Sequence, residues 1–137
     1  MRLGAVVIAL ACLAALVGTG AGDRAAARSP EADLRAAPAV LLMVDERGCI
    51  YCARWDRDVA EGYLASAEGR FAPLVRRRIG HPDLAFLPGL RYTPTFIVLV
   101  EGREIGRIEG YPGADFFWGQ IETLLRAAGF GSRARKS

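Results

Sequence analysis

The stretch AVLLMVDERGCIYC, residues 39–52, decides the fold of this chain. Its first part, Ala39 to Val44, is a continuous apolar run of strand length, the pattern of a strand buried on both faces of a parallel sheet. Asp45 to Gly48 predicts a loop, and Cys49-Ile50-Tyr51-Cys52 follows at the start of a predicted helix. Two cysteines at this spacing on a helix N-terminus lie within disulfide reach, so the stretch indicates redox chemistry.

The segments that follow complete an α/β pattern. Thr95 to Val100 is the clearest strand, and the tight turn Glu101-Gly102 joins it to an alternating strand as an antiparallel hairpin. The predicted elements after the first strand are a helix at 50–67, strands at 73–79, 95–100 and 103–109, and a helix at 114–128. Their order, β-α-β, loop, β-β-α, predicts a mixed four-stranded sheet with helices on both faces.

The N-terminus predicts export. A basic start, Met1-Arg2, precedes an apolar run from Leu3 to Val17, and Thr19-Gly20-Ala21 supplies small residues for cleavage. The run is shorter than the roughly 20 residues that span a bilayer, although an uncleaved membrane anchor stays open as an alternative. We therefore expect a periplasmic protein in which residues 1–21 are a signal peptide, 22–37 a linker, 38–130 the domain and 131–137 a basic disordered tail.

Composition and charge narrow the class of protein. Of the three cysteines, Cys12 lies in the predicted signal peptide, so the mature protein keeps only the closely spaced pair, which suits redox work better than a disulfide scaffold. The 18 Lys and Arg against 15 Asp and Glu include three basic residues in the last seven positions. The folded part is near neutral, so nothing indicates a nucleic-acid surface, and we expect a monomer.

The cysteine pair predicts thiol-disulfide exchange without a dissociable cofactor. Cys49 sits at a helix N-terminus, where unpaired backbone N–H groups favour a thiolate, so it is the predicted nucleophile. Cys52, one turn further on, is the predicted resolving cysteine. Arg47 and Arg54 flank the pair, and the sequence leaves open whether they lower the pKa of a thiol or are simply solvated.

Thr93-Pro94 precedes a buried strand, where proline is poorly tolerated. In a cis conformation it would expose the backbone of Thr93 beside the cysteines, where an extended substrate segment could pair as an added strand. An ordinary trans proline is the alternative, but the upstream cysteine pair favours the cis form. Tyr51, between the cysteines, is predicted to face the substrate.

Residues from about Ala39 to Phe130 resemble proteins with the thioredoxin fold. The resemblance rests on Cys49-Ile50-Tyr51-Cys52, on Thr93-Pro94-Thr95, and on Gly110 just past the last strand, where the family keeps a glycine close to the active site. More narrowly, GCIYCARWD (48–56) and RIEGYPG (107–113), which runs into residues 115–118, resemble periplasmic thioredoxins encoded with bacterial sulfur-oxidation (Sox) genes. The resemblance implies a periplasmic reductant, recharged through a membrane thiol transporter, that keeps a Sox thiol carrier protein reduced.

The sequence also departs from the thioredoxin pattern. Thioredoxins carry Trp-Cys-Gly-Pro-Cys, whereas here Gly48 replaces the Trp and Ile50-Tyr51 replaces Gly-Pro. The buried Asp that serves thioredoxins as proton acceptor would fall at Met43, so Cys52 must lose its proton through water or a neighbour such as Glu46. These departures leave the redox potential open, and with it the alternative of a disulfide oxidase or isomerase of the same fold.

Other residues have weaker functional signals. A metal site of both cysteines and His81 would resemble copper-delivery proteins, but those space their cysteines further apart, so we expect no metal. The cysteine pair as a mere structural staple is a further alternative. Trp55 and Trp118 are predicted to pack in the core. Arg76 to Arg78 are unexpected on a predicted inner strand, where at least one must be paired, extended to solvent or near the sulfurs.

Overall fold

The computed structural model of the protein describes residues 34–132. The predicted signal peptide, most of the predicted linker and residues 133–137 of the tail lie outside the described residues. In chain order, the elements are β1 (Val40–Asp45), α1 (Ile50–Trp55), a π-helical turn (Asp56–Ala60), α2 (Glu61–Ala65), α3 (Ala67–Phe71), β2 (Leu74–Arg78), a 3-10 turn (Pro82–Leu84), β3 (Thr95–Val100), β4 (Arg103–Glu109) and α4 (Ala114–Ala127).

The four strands form one mixed sheet in the order β2-β1-β3-β4. β1 runs parallel to β2 and antiparallel to β3, and β3 and β4 form the predicted hairpin. The two central strands are the two continuous apolar runs of the sequence, which are buried because both faces of the sheet are covered. The predicted mixed four-stranded sheet and element order are confirmed.

An aromatic core covers the face of the sheet that carries α1 and α4. Trp55 is fully buried there, with its ring 5.1 Å from the ring of Phe96 and 5.6 Å from that of Phe117. Trp118 is half-buried, 6.0 Å from the ring of Tyr63. Both tryptophans therefore pack as predicted, and they fix α1 and α4 against the same layer of side chains.

The opposite face of the sheet is covered by the segment before β1 and by the 3-10 turn. Leu34 is fully buried in this second cluster, together with Leu42, Leu84 and Ile97, and residues 34–36 are helical. The linker boundary predicted at residue 37 was therefore wrong. Because Leu34 buries its side chain against the sheet, residues 34–37 belong to the folded domain.

The helix predicted at 50–67 is interrupted twice. A π-helical turn follows Trp55, and Ser66 then ends α2 in an extended conformation. The Ser66 hydroxyl oxygen accepts the Gly69 N–H at 3.0 Å, so the serine caps a new helix, α3, instead of continuing the old one. A Cβ at Gly69 would lie 2.0 Å from the Tyr63 carbonyl oxygen, which explains the glycine there.

β2 is an edge strand, so its predicted inner position was wrong. The edge position explains the three arginines, because they reach solvent or acidic partners at the border of the sheet. Arg77 donates to Asp83 at 2.7 Å, Arg76 pairs with two other carboxylates, and Arg78 is exposed. The expectation that at least one of these arginines must be paired is met by two of them.

Candidate active site

The two cysteines form a disulfide at the N-terminus of α1, with an S–S distance of 2.05 Å. Cys49 is the N-cap residue, and its sulfur accepts the backbone N–H of Cys52 at 3.1 Å. Cys49 is half-buried, whereas Cys52 is only 5% exposed. The loop before α1 and the first turn of the helix therefore leave Cys49 as the more accessible of the two sulfurs.

The loop before β3 lies at the same end of the sheet. The Thr93–Pro94 peptide bond is cis, Pro94 is buried and Thr93 is half-buried. The Pro94 carbonyl accepts the N–H of Gly110 at 2.7 Å, and the Thr95 hydroxyl donates to the Tyr92 carbonyl at 2.7 Å. Gly110 has φ of 84°, a conformation that favours glycine, so this residue lets the chain leave β4 beside Pro94.

A cavity of about 600 Å³ brings several predicted site residues together. Tyr51 contributes its half-exposed ring, and Thr93 and Gly110 line the opposite part of the wall. The remaining lining residues are Tyr92, Glu109, Tyr111 and Pro112. This cavity, which we call the substrate groove, joins the cysteine helix to the loop before β3 and to the end of β4.

Sequence reasoning missed Tyr92, which is 60% exposed on the wall of the substrate groove. An exposed aromatic residue directly before Thr93-Pro94 was the available signal. It also missed Tyr111, a buried residue whose hydroxyl donates to Asp58 at 3.2 Å. Burial, followed by this hydrogen bond, raises the pKa of Tyr111.

The two arginines that flank the cysteines differ in their surroundings. The Arg54 guanidinium lies 5.9 Å from the centre of the Tyr51 ring, within range of a cation–π contact. Arg47 is exposed in the loop before Cys49. Arg54 therefore lies beside the ring of Tyr51, which lines the substrate groove.

A second cavity, of about 390 Å³, reaches the disulfide, whereas neither cysteine lines the substrate groove. Both cysteines line it, together with the charged side chains of Asp45, Glu46, Asp56 and Arg76. We call it the carboxylate cavity. Arg76 donates to Asp56 through Nη1 at 2.7 Å and Nη2 at 3.2 Å, and to Asp45 through Nε at 3.2 Å. The hydrogen bond to Asp56 is the main cause of the raised pKa of Arg76.

Residues 34–132 include His81, the candidate metal ligand, and the helices given above. His81 is exposed at the N-cap of the 3-10 turn, where its Nδ1 accepts the Asp83 N–H at 3.2 Å. Those residues contain no group of three or more His, Cys, Asp or Glu arranged to hold a metal ion. Over the same range, every helix is too short or too polar to cross a membrane.

The solved structures that are similar to this chain include two thioredoxins. The crystal structure of the reduced periplasmic thioredoxin SoxS from Paracoccus pantotrophus is 41% identical in sequence, with 66% of this chain and 98% of SoxS covered and a TM-score of 0.59. The solution structure of a thioredoxin from Thermus thermophilus is 22% identical in sequence, with 66% of this chain and 76% of that protein covered. Its TM-score of 0.51 supports the fold. No protein-family model and no curated protein sequence matches the chain.

Proposed function

This chain belongs to the thioredoxin family and is a thiol-disulfide oxidoreductase, and we propose that it is a periplasmic reductant of protein disulfides. The observation that carries the proposal is the arrangement of the cysteine pair. Cys49 is accessible at the helix N-terminus and Cys52 is buried behind it. A substrate sulfur therefore reaches Cys49 first, and Cys52 attacks from inside the protein.

The reaction follows from these two positions. In the reduced protein, the Cys49 thiolate attacks one sulfur of a substrate disulfide, and the other substrate sulfur leaves as a thiolate. The Cys52 thiolate then attacks the Cys49 sulfur, which forms the Cys49–Cys52 disulfide and breaks the bond to the substrate. Two electrons pass from the protein dithiol to the substrate, so the protein disulfide itself is the redox group and no dissociable cofactor takes part.

A backbone hydrogen bond at the helix N-terminus supports Cys49 as the nucleophile. Its sulfur already accepts a backbone N–H of the first helical turn, which is the interaction that stabilises a thiolate over a thiol. Cys52 lacks comparable access, since it is 5% exposed and packs against the aromatic core. The two cysteines thus divide the attacking and resolving roles.

The substrate groove supports binding of an extended protein segment. Thr93 and Gly110 line one wall, and Tyr51, which lies between the two cysteines in sequence, and Tyr92 supply exposed aromatic rings. An extended segment can pair with exposed backbone as an added strand while its side chains contact the rings. Pro94 holds this wall in place through its hydrogen bond from Gly110.

The choice of partner rests on the similarity to SoxS. That protein is described as a periplasmic thioredoxin, and 98% of its length is covered at 41% identity. We propose that the present chain, exported through its N-terminal segment, reduces a thiol carrier protein of sulfur oxidation and receives electrons from a membrane thiol transporter. One domain holds both cysteines and the groove, so the proposed reaction requires only a monomer.

Reduction of insulin by dithiothreitol tests the proposal, with the unmodified protein and the Cys49→Ser and Cys52→Ser variants. We expect Cys49→Ser to abolish catalysis and Cys52→Ser to accumulate mixed disulfides with its substrates, because the first variant lacks the nucleophile and the second cannot resolve. The Cys52→Ser variant, exposed to a periplasmic extract, should trap the partner protein for identification. Full activity in Cys49→Ser would overturn the proposal.

A further inference from the structure

Cys52 has to lose a proton before it can resolve the mixed disulfide. A thiol has an ordinary pKa of about 8.5, and burial in apolar surroundings raises it, so a buried thiol needs a nearby acceptor at neutral pH. The position at which thioredoxins carry an acidic acceptor is Met43 here, and Met43 is fully buried. A side chain that accepts this proton therefore belongs to another residue near Cys52.

The carboxylate cavity supplies candidates from three parts of the fold. Asp45 ends β1, two residues after Met43, so its side chain lies on the same face of the sheet, the face that carries α1. Asp56 lies one helical turn after Cys52, and its backbone N–H donates to the Cys52 carbonyl. Glu46 belongs to the loop between β1 and α1. Arg76, from β2, is the one cation among the residues that line this cavity.

Hydrogen bonding separates these three carboxylates. Both oxygens of Asp56 accept bonds from Arg76, and its side chain is 41% exposed. Glu46 is exposed and accepts the hydroxyl of Thr93. Asp45 is 21% exposed and binds Arg76 through Oδ2 alone, so its Oδ1 accepts no hydrogen bond from the described residues. Asp45 is thus the least exposed carboxylate of the cavity and has an oxygen available.

We propose that Asp45 is the proton acceptor for Cys52, a role that rests on the proposed disulfide exchange through Cys49. Asp45 and Cys52 line one cavity of about 390 Å³, many times the roughly 30 Å³ that a water molecule occupies, so the proton can pass through water. Arg76 and Asp56 are positioning residues. The two hydrogen bonds from Arg76 to Asp56 fix the guanidinium, which in turn holds Asp45 at the cavity wall.

The proposed step balances as follows. The Asp45 carboxylate accepts the proton of the Cys52 thiol, and the resulting thiolate attacks the Cys49 sulfur of the mixed disulfide. The bond between Cys49 and the substrate sulfur breaks as the Cys49–Cys52 bond forms. The substrate sulfur leaves as a thiolate and takes a proton from solvent, and Asp45 then releases its own proton to solvent.

Reaction of the reduced protein with 5,5′-dithiobis(2-nitrobenzoate) separates the two steps, when Cys12 is replaced by Ser in every variant. Attack by Cys49 releases one coloured thiolate, and resolution by Cys52 releases a second. In Asp45→Asn we expect the first release unchanged and the second slowed about 10²-fold near pH 7, the lower part of the range for general base catalysis. Asp45→Glu, which restores a carboxylate, should recover most of that rate.

The pH profile distinguishes proton transfer from a structural role. With Asp45 present, the rate of the second release should change little between about pH 6 and 8, whereas in Asp45→Asn it should rise about tenfold per pH unit as the Cys52 thiolate forms unaided. Glu61→Gln is the matched control, because Glu61 is an exposed carboxylate on α2 that does not line the cavity. It should behave like the unmodified protein.

Two results would overturn the role of Asp45. In the first, the second release in Asp45→Asn has the same rate and the same pH dependence as in the unmodified protein. In the second, the release is slower but its pH dependence is unchanged. Neither result would affect the proposed function, which is tested separately by the activity of Cys49→Ser. A urea unfolding curve for Asp45→Asn that matches the unmodified protein shows that the compared rates belong to folded protein.

Discussion

The hydroxyl of Thr93 donates a hydrogen bond to Oε1 of Glu46, and this bond ties the loop before Pro94 to the loop before Cys49. The two residues are 47 positions apart in sequence, and Thr93 lines the substrate groove while Glu46 lines the carboxylate cavity. The bond therefore links a wall of the substrate groove to the loop that precedes Cys49. Preorganisation of this kind matters in catalysis because small displacements of reacting groups reduce the rate strongly.

Replacement of Thr93 by Val keeps the shape of the side chain and removes the donor to Glu46. We expect kcat/KM for insulin reduction to fall about fivefold, which corresponds to the roughly 1 kcal/mol of one hydrogen bond. Thr123→Val is the control, since the Thr123 hydroxyl bonds only within α4, to the Gly119 carbonyl. Equal activity in the Thr93 and Thr123 variants would show that the bond to Glu46 has no part in catalysis.

The ion pair between Arg77 and Asp83 anchors the edge strand β2 to the 3-10 turn. Their side chains are 18% and 11% exposed, so Asp83→Asn leaves a largely buried guanidinium without its carboxylate. We expect the free energy of unfolding to fall by about 1–3 kcal/mol. Glu122→Gln, which breaks an exposed pair with Arg126, should change it by less than about 0.5 kcal/mol. Urea denaturation measures both, and equal losses would contradict the burial argument.

Stability at alkaline pH should depend on Tyr63. Its buried hydroxyl donates to the Ala72 carbonyl at 2.7 Å, and burial, followed by the charge of Glu68, raises the pKa of Tyr63. A raised pKa means that the folded state holds the phenol proton more tightly. The resulting stability is full below the unfolded pKa of about 10 and is lost as the pH rises above it.

Comparison of Tyr63→Phe with the unmodified protein tests this dependence. Below about pH 9 the variant should be less stable by about 1–3 kcal/mol, because the buried Ala72 carbonyl loses its donor. Between about pH 10 and 12 the difference should shrink, since only the unmodified protein has the phenol to deprotonate. Tyr92→Phe, at an exposed ring, is the control. A difference that stays constant with pH would contradict the assigned cause.

The sequence predicted those elements whose own residues determine them. β1 and β3 are continuous apolar runs, and α4 has Phe117, Ile121 and Leu125 at helical spacing on its buried face. The cysteine pair and Thr93-Pro94 were visible as short motifs. Each of these features depends on neighbours within a few positions, so local pattern was enough to find it.

The features that the sequence did not reveal depend on residues distant in the chain. The edge position of β2 and the pairing of Met43 with Arg76 follow from how the strands are ordered. Only that register brings Arg76 to Asp45 and Asp56, which are 31 and 20 positions away. Nearness to the cysteines in sequence indicates Glu46 as a proton acceptor, whereas its contact with Thr93 appears only in the folded protein.

The equilibrium reduction potential of the Cys49–Cys52 pair tests the proposed direction of electron transfer most directly. Three carboxylates and one guanidinium line the cavity beside the sulfurs. This excess of negative charge disfavours thiolates in the reduced protein and so favours the disulfide form. A pair that favours the disulfide has a lower reduction potential and is a stronger reductant than one whose thiolates are stabilised. Equilibration with glutathione or dithiothreitol should give a reduction potential of about −270 mV, as for thioredoxin. A reduction potential of about −120 mV, as for strong periplasmic oxidants, would contradict a reductive role.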